Sequence, residues 1–266
     1  MRNPAWAGKF YHRDETGLNE ELDSCFRGIP LEALPAVGAV VPHAGYMYSG
    51  AVAAEVYARL PNRETYVIIG PNHSDPRNLM AAMSKDSWKT PLGEIEVDQD
   101  LARALAGSII DTDEMAHAEE HSIEVQLPFV QKRFLQFKIL PISLGGLQDQ
   151  ETALDVGRTV AKAILDLKKD CTIIASSDFT HYKSHEVARR VDAKLIESIL
   201  NMDVPEFYDR LEEYDATACG YGPIAATMTA SRLLGATSGK LLRYATSGDV
   251  TGDYSQVVGY GAIMFT

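Results

Sequence analysis

Thr65-Tyr66-Val67-Ile68-Ile69-Gly70-Pro71-Asn72-His73 reads as a buried strand followed by a turn that delivers a histidine. The first five residues are β-branched, aromatic or aliphatic with no polar alternation, the pattern of a strand covered on both faces. Two more runs have this form. Val37–Val41 ends in Pro42-His43-Ala44-Gly45, and Thr172–Ser176 ends in Ser177-Asp178-Phe179-Thr180-His181. Three strands therefore each deliver a histidine within five residues of their C-terminal ends. In open α/β sheets, ligands bind in the crevice outside those ends.

Working outward, further strands are expected over Asn78–Ser84, Phe137–Leu144, Lys240–Tyr244 and Val257–Phe265, with a short hairpin over Thr90–Val97. Amphipathic or apolar stretches between them predict helices over Ser49–Leu60, Asp98–Ala106, Glu120–Phe134, Gln150–Leu167, His185–Leu200 and Ile224–Leu234. This alternation is the signature of an α/β fold. No linker, repeat or low-complexity block interrupts it, so residues 1–266 are expected to form a single three-layer domain around a central mixed β-sheet.

The chain has 266 residues and a net charge of −12. That balance, with no cluster of Lys or Arg, argues against a nucleic-acid partner. The 3 cysteines are widely spaced, which is no disulfide framework and fits a reducing cytosol. No apolar run approaches the ~18 residues of a membrane span, and Met1–Trp6 lacks a signal-peptide core. A cytoplasmic protein without a membrane partner is expected.

Any one of these histidines alone reads as a loop or capping residue. Three at the same sheet edge, out of 7 in the chain, point to a shared site. Neutral imidazoles suit Zn, Fe, Cu or Ni, and a catalytic site adds a third protein ligand while leaving positions open. His43 and His73 are the expected imidazole ligands and Cys219 the third. Cys219 sits in Ala218-Cys219-Gly220-Tyr221-Gly222-Pro223, and Pro223 at a first helical position would place the thiol near a helix N-terminus, where thiolate is favoured. Asp178 is expected to orient His181 for acid–base work, or to ligate the metal itself. His121 is read as lining the pocket or supporting a ligand, Tyr46 and Tyr48 as flanking the site, and Gly248–Tyr254 as a turn or an acidic lip.

Pro-His-Ala-Gly-Tyr at 42–46, Gly-Pro-Asn-His at 70–73, Glu-His-Ser-Ile-Glu at 120–124, Ser-Ser-Asp-Phe-Thr-His at 176–181 and Cys-Gly-Tyr-Gly-Pro at 219–223 together resemble the Memo family, in its AmmeMemoRadiSam system protein B type. Ala7-Gly8-Lys9-Phe10-Tyr11 resembles its opening motif, with His12 where proline is usual. The resemblance spans nearly the whole chain. It implies the fold of the class III (LigB-like) extradiol dioxygenases, which open catechol rings with Fe(II). It also implies a metal pocket at His43, His73 and Cys219, with Asp178 and His181 beside it. Where the dioxygenases carry a glutamate ligand this chain has Cys219, and the softer thiolate widens the expected metals from Fe(II) to Cu and Zn. The readings this leaves open are a redox or dioxygenase-like enzyme, a zinc hydrolase, or a module that binds a small molecule or peptide or handles a metal. The family also implies a radical-SAM protein as partner.

Overall fold

The computed structural model describes residues 1–74, 80–84, 87–146 and 148–266. In chain order the strands are β1 Gly38–Val41, β2 Thr65–Pro71, β3 Met80–Ala82, β4 Ser87–Thr90, β5 Gly93–Glu96, β6 Asp111–Thr112, β7 Lys138–Leu144, β8 Cys171–Ser176, β9 His181–Lys183, β10 Gly239–Thr246 and β11 Val257–Phe265. The helices are α1 Glu15–Cys25, α2 Tyr46–Tyr57, α3 Gln99–Ala104, α4 Leu127–Arg133, α5 Gln150–Leu167, α6 His185–Leu200, α7 Val204–Glu213, α8 Tyr221–Leu233 and α9 Gly248–Thr251. Of the strand expected over Asn78–Ser84, Met80–Ala82 is observed, while Asn78 and Leu79 lie outside the described residues.

The central sheet is mixed, with strand order β10-β11-β1-β8-β2-β7-β3-β6 and β9 paired to β11. Its middle four strands, β1, β8, β2 and β7, run parallel. Val41 aligns with Ser176, and Ile69 with Ala175, so the three histidine-bearing turns leave the sheet at one level. Neighbouring strands lie ~4.8 Å apart, which brings those turns within side-chain reach of one another.

Side chains on a strand alternate between faces, and each face of the sheet is covered. Tyr66 and Ile68 pack with Val52, Val56 and Phe129 under α2 and α4. Val67 and Ile69 pack with Val156, Val160 and Ala226 under α5 and α8. Val40 and Ala175 meet Leu195, Ile224 and Met228 from α6 and α8. This is the single α/β domain with a mixed sheet that the sequence pattern predicts. Among the described residues, no helix is long and apolar enough to cross a membrane.

Three helix expectations need correction. Helix α2 begins at Tyr46, three residues before Ser49, whose hydroxyl donates to the Ala44 carbonyl. Helix α8 begins at Tyr221, which moves Pro223 to its third position. The stretch Glu120–Phe134 is not one helix: a 3-10 turn at Glu124–Gln126 precedes α4. The Glu120 carboxylate caps the amides of His121 and Ser122 and one helical bond follows, from the Val125 amide to the His121 carbonyl at 3.0 Å, but Pro128 has no N–H to return to Glu124, so the ladder is interrupted there.

Residues 2–11 strap this irregular segment down. Arg2 pairs with β4 through main-chain bonds of 2.8 Å to Ser87 and Lys89. The fully buried Glu124 carboxylate accepts from the Arg2 guanidinium at 2.7 Å, the Ala5 and Trp6 amides at 3.0 and 2.9 Å, and the Tyr11 hydroxyl at 2.7 Å. Removing one partner of a buried ion pair strands the other charge. Glu124→Ala is therefore expected to lower unfolding free energy by about 3–5 kcal/mol, measured by urea denaturation. A loss below about 1 kcal/mol would show that solvent readily replaces the carboxylate.

Candidate metal site

His43 leaves β1 into a closely fixed position. Its amide donates to Asp178 Oδ1 at 2.8 Å, and its Nδ1 lies 3.0 Å from Ser176 Oγ at the end of β8. The tautomer follows from the neighbours. Ser176 Oγ lies 2.6 Å from the Ser122 carbonyl, which can only accept, so the hydroxyl proton points there. Gln126 Nε2 also donates to Ser176 Oγ at 2.8 Å. The remaining bond requires His43 Nδ1 to carry its proton, leaving Nε2 as a bare lone pair.

His73 follows β2 and His121 follows a turn, and both answer to Glu120. That carboxylate is 1% exposed. It accepts from the His73 amide, from His73 Nδ1 at 3.0 Å, and from the amides of His121 and Ser122 at 2.9 and 2.8 Å. His121 Nδ1 lies 3.4 Å from the same oxygen. The carboxylate fixes the Nδ1–H tautomer of His73 and so frees its Nε2, the usual outer support of an imidazole ligand. Burial alone would raise the Glu120 pKa, but the bonds and charge from His73 and His121 outweigh it and hold it down at about 2.

The outcome is a cluster in which one ring nitrogen from each of His43, His73 and His121 lies within 4.8 Å of the others. Ring centroids are 5.3 Å apart for His43–His73 and His43–His121, and 4.6 Å for His73–His121. Burial, with the neighbouring imidazoles, pushes the His43 pKa well below its ordinary value, and burial lowers His121 to about 4. Both rings are therefore neutral at pH 7, the form that ligates metal. His121, expected as a supporting residue, stands in the cluster itself.

Cys219 touches the cluster at His43 and is not among the three residues whose donor atoms all lie within 4.8 Å of one another. Its Sγ lies 3.1 Å from His43 Nε2 and 3.7 Å from the Asp178 carbonyl. Gly220 makes this approach feasible, because a Cβ there would come within 2.5 Å of the Ser176 carbonyl. The expected low thiol pKa is not found: burial, and then the Asp178 carboxylate, push it up. A helix dipole favours thiolate, but desolvation opposes it and is the larger effect here. An imidazole donor set with a thiol at its side fits a mononuclear Zn, Fe or Cu ion.

A cavity of about 860 Å³ opens over the cluster, lined among others by Phe10, Tyr48, His181, Tyr182, Asp253 and Tyr260. His181 Nδ1 lies 2.8 Å from the Thr217 carbonyl and so carries its proton there, leaving Nε2 bare. Asp178 does not orient it; that carboxylate holds the His43 amide instead, and burial raises its pKa. Tyr48 lines the cavity but Tyr46 does not. The Tyr46 hydroxyl donates to the Val125 carbonyl at 2.6 Å, with its ring buried against Tyr11 and Phe129, because it opens α2 on the core-facing side. Thr251 and Asp253 line the mouth, so the segment after β10 does form a lip. His117 and His185 stay outside, bonded to the Ala81 carbonyl at 3.1 Å and the Thr246 hydroxyl at 2.9 Å.

Sequence reading missed Glu120, Ser176 and Thr217 as the groups that set the three tautomers. The adjacency of Glu120 to His121 was the one available signal. It also missed the aromatic wall on His121, where Trp6 and Phe10 sit with centroids 5.5 and 4.6 Å from the imidazole.

The two donor sets, with and without Cys219, differ in protons. The thiol is protonated before binding, so thiolate ligation at pH 8 is expected to release close to one proton per Zn(II), lost in Cys219→Ser. Calorimetry in buffers of different ionisation enthalpy measures this. Release near zero in the parent protein would assign the centre to imidazoles alone.

A family model described as Memo-like protein matches residues 2–264. A MEMO1 family protein of Methanosarcina barkeri is 54% identical over 265 residues, covering 99% of each chain. One from Archaeoglobus fulgidus is 44% identical over 265 residues, covering 100% of this chain and 99% of the relative. Among solved structures, an uncharacterized protein from Escherichia coli K12 superposes with a TM-score of 0.54 at 13% identity, covering 85% of this chain and 98% of that one, which is a likeness of fold.

Proposed function

The chain belongs to the Memo-like protein family, and from that premise we propose that it is a mononuclear non-haem metal enzyme with redox, dioxygenase-like activity on a small molecule. The observation that carries this reading is the convergence of His43, His73 and His121 under one open cavity. His43, His73 and His121 would hold the ion, with the Cys219 thiol beside His43 as a further donor. When bound, Fe(II) or Cu supplies Lewis-acid activation and one-electron chemistry.

The chain's own groups do the rest. Ser176 and Glu120 engage Nδ1 of His43 and His73, which leaves Nε2 as the donor atom, and the lowered pKa values of His43 and His121 mean that a divalent ion meets no proton to displace from those two rings. His181, with its bare Nε2 facing the cavity, takes a proton from a bound hydroxyl group and can return it to product. Phe10, Tyr48 and Tyr260 offer aromatic surface to a flat apolar substrate and exclude water from it.

A second reading, a zinc hydrolase, is favoured by the three-imidazole cluster, since that set is also used for catalytic zinc with a bound water. Elemental analysis of protein purified without metal-affinity resin separates the two. Iron or copper, and oxygen uptake with a catechol panel after anaerobic Fe(II) reconstitution, is the expected result. Zinc with ester or amide hydrolysis and no oxygen uptake would sink the redox reading. In whichever assay turns over, His181→Ala is expected to leave metal content unchanged and lower kcat by roughly 10²–10⁴-fold; an unchanged kcat removes His181 from proton transfer.

A further inference from the structure

Arg2 lies outside the cavity, yet nearly all of its side chain is spent on the segment that carries His121. The guanidinium is buried, and lies 4.1 Å from the centre of the Trp88 ring. Its Nε donates to the His117 carbonyl at 2.6 Å, Nη2 to the Glu120 carbonyl at 2.8 Å, and Nη1 to Glu124 Oε2 at 2.7 Å. All three acceptors fall within four residues of His121. Between the 3-10 turns at Met115–His117 and Glu124–Gln126, residues 118–123 have no regular ladder to fix them. Their shape is set by what grips them. The Glu120 carboxylate does so from the site, and Arg2 from behind. A guanidinium is a rigid planar fork, so three acceptors bound to it are held at fixed mutual positions. His43 and His73 follow β1 and β2 within two residues, and their amides are held by the Asp178 and Glu120 carboxylates, with no contact to Arg2 needed.

We propose that Arg2 is a positioning residue for the metal site: its guanidinium fixes the Glu120–His121 main chain, and with it the third imidazole of the cluster. Its consequence for metal rests on the reading of the site given above; its premise rests on contact geometry alone. A guanidinium that merely staples residues 2–11 to the domain would lower stability without changing the site.

Full-length Arg2→Met and Arg2→Lys, probed with Co(II) alone and folded by circular dichroism, tell these roles apart. Positioning predicts that Arg2→Met weakens Co(II) binding roughly 10–100-fold and alters the ligand-field bands of the saturated protein, with partial recovery in Arg2→Lys. On metal-free protein it predicts at least tenfold faster hydrogen exchange for amides 118–123 relative to those of β2 and α5. Unchanged Co(II) affinity and spectrum beside a lowered Tm would overturn it. If the parent protein binds no Co(II), the metal reading falls, and hydrogen exchange decides the placement by itself: unchanged protection at 118–123 overturns the proposal. Should Arg2→Met fail to fold, Trp88→Leu, which removes the ring under the guanidinium and keeps the charge, carries the same readouts with the same two outcomes.

Discussion

A buried carboxylate must be given donors, and Glu120 receives its donors from the residues that define the site. At 1% exposure it has little water to turn to. An unpaired charge in such a place costs several kcal/mol, so four N–H groups turn inward to it. Two of these are the amides of His121 and Ser122, which fixes the turn that carries His121; the other two belong to His73. One requirement thus shapes the backbone on one side of the site and chooses the tautomer on the other. The segment bent in this way cannot hold itself, which is why Arg2 and Glu124 fall where they do.

Much of the fold was legible because burial on both faces leaves a strong mark. Val257–Phe265, Gln150–Leu167 and His185–Leu200 are elements whose bounds the pattern alone locates. The shared edge for His43 and His73 was legible for a related reason: parallel strands must end together, and glycine, proline and asparagine mark where they stop. The failures are equally physical. Apolar residues at helical spacing between Ile123 and Phe134 read as one helix, while Glu124 is turned to Arg2, Ala5, Trp6 and Tyr11, contacts that only the fold supplies. Tyr46 adjoins His43 in sequence, but the first turn of α2 rotates it into the core.

Cys219 shows how a correct position can come with an incorrect state. The flanking glycines and Pro223 locate the thiol beside the start of α8, as expected from its neighbours. The helix dipole, which favours thiolate, is worth about 0.3–1 kcal/mol at an exposed site. Desolvation of a buried thiolate is larger, and the Asp178 carboxylate adds to it. No feature of local sequence reports burial, so the sign of the shift came only with the fold.

The same balance explains why the arrangement favours a dication. His43 and His121 are neutral, the Cys219 thiol is protonated, and Glu120 stays anionic at the back of the cluster. Bare imidazole nitrogens then face one another across a few ångströms with a negative charge behind them. Protonating His43 or His121 would place a cation in a desolvated space beside other imidazoles, which their lowered pKa values show to be unfavourable. On the reading proposed above, a divalent ion would satisfy these lone pairs and offset the Glu120 charge, and a thiolate ligand would ionise at lower cost beside it. The features that make the site resist protons are therefore the ones that make it receptive to a metal.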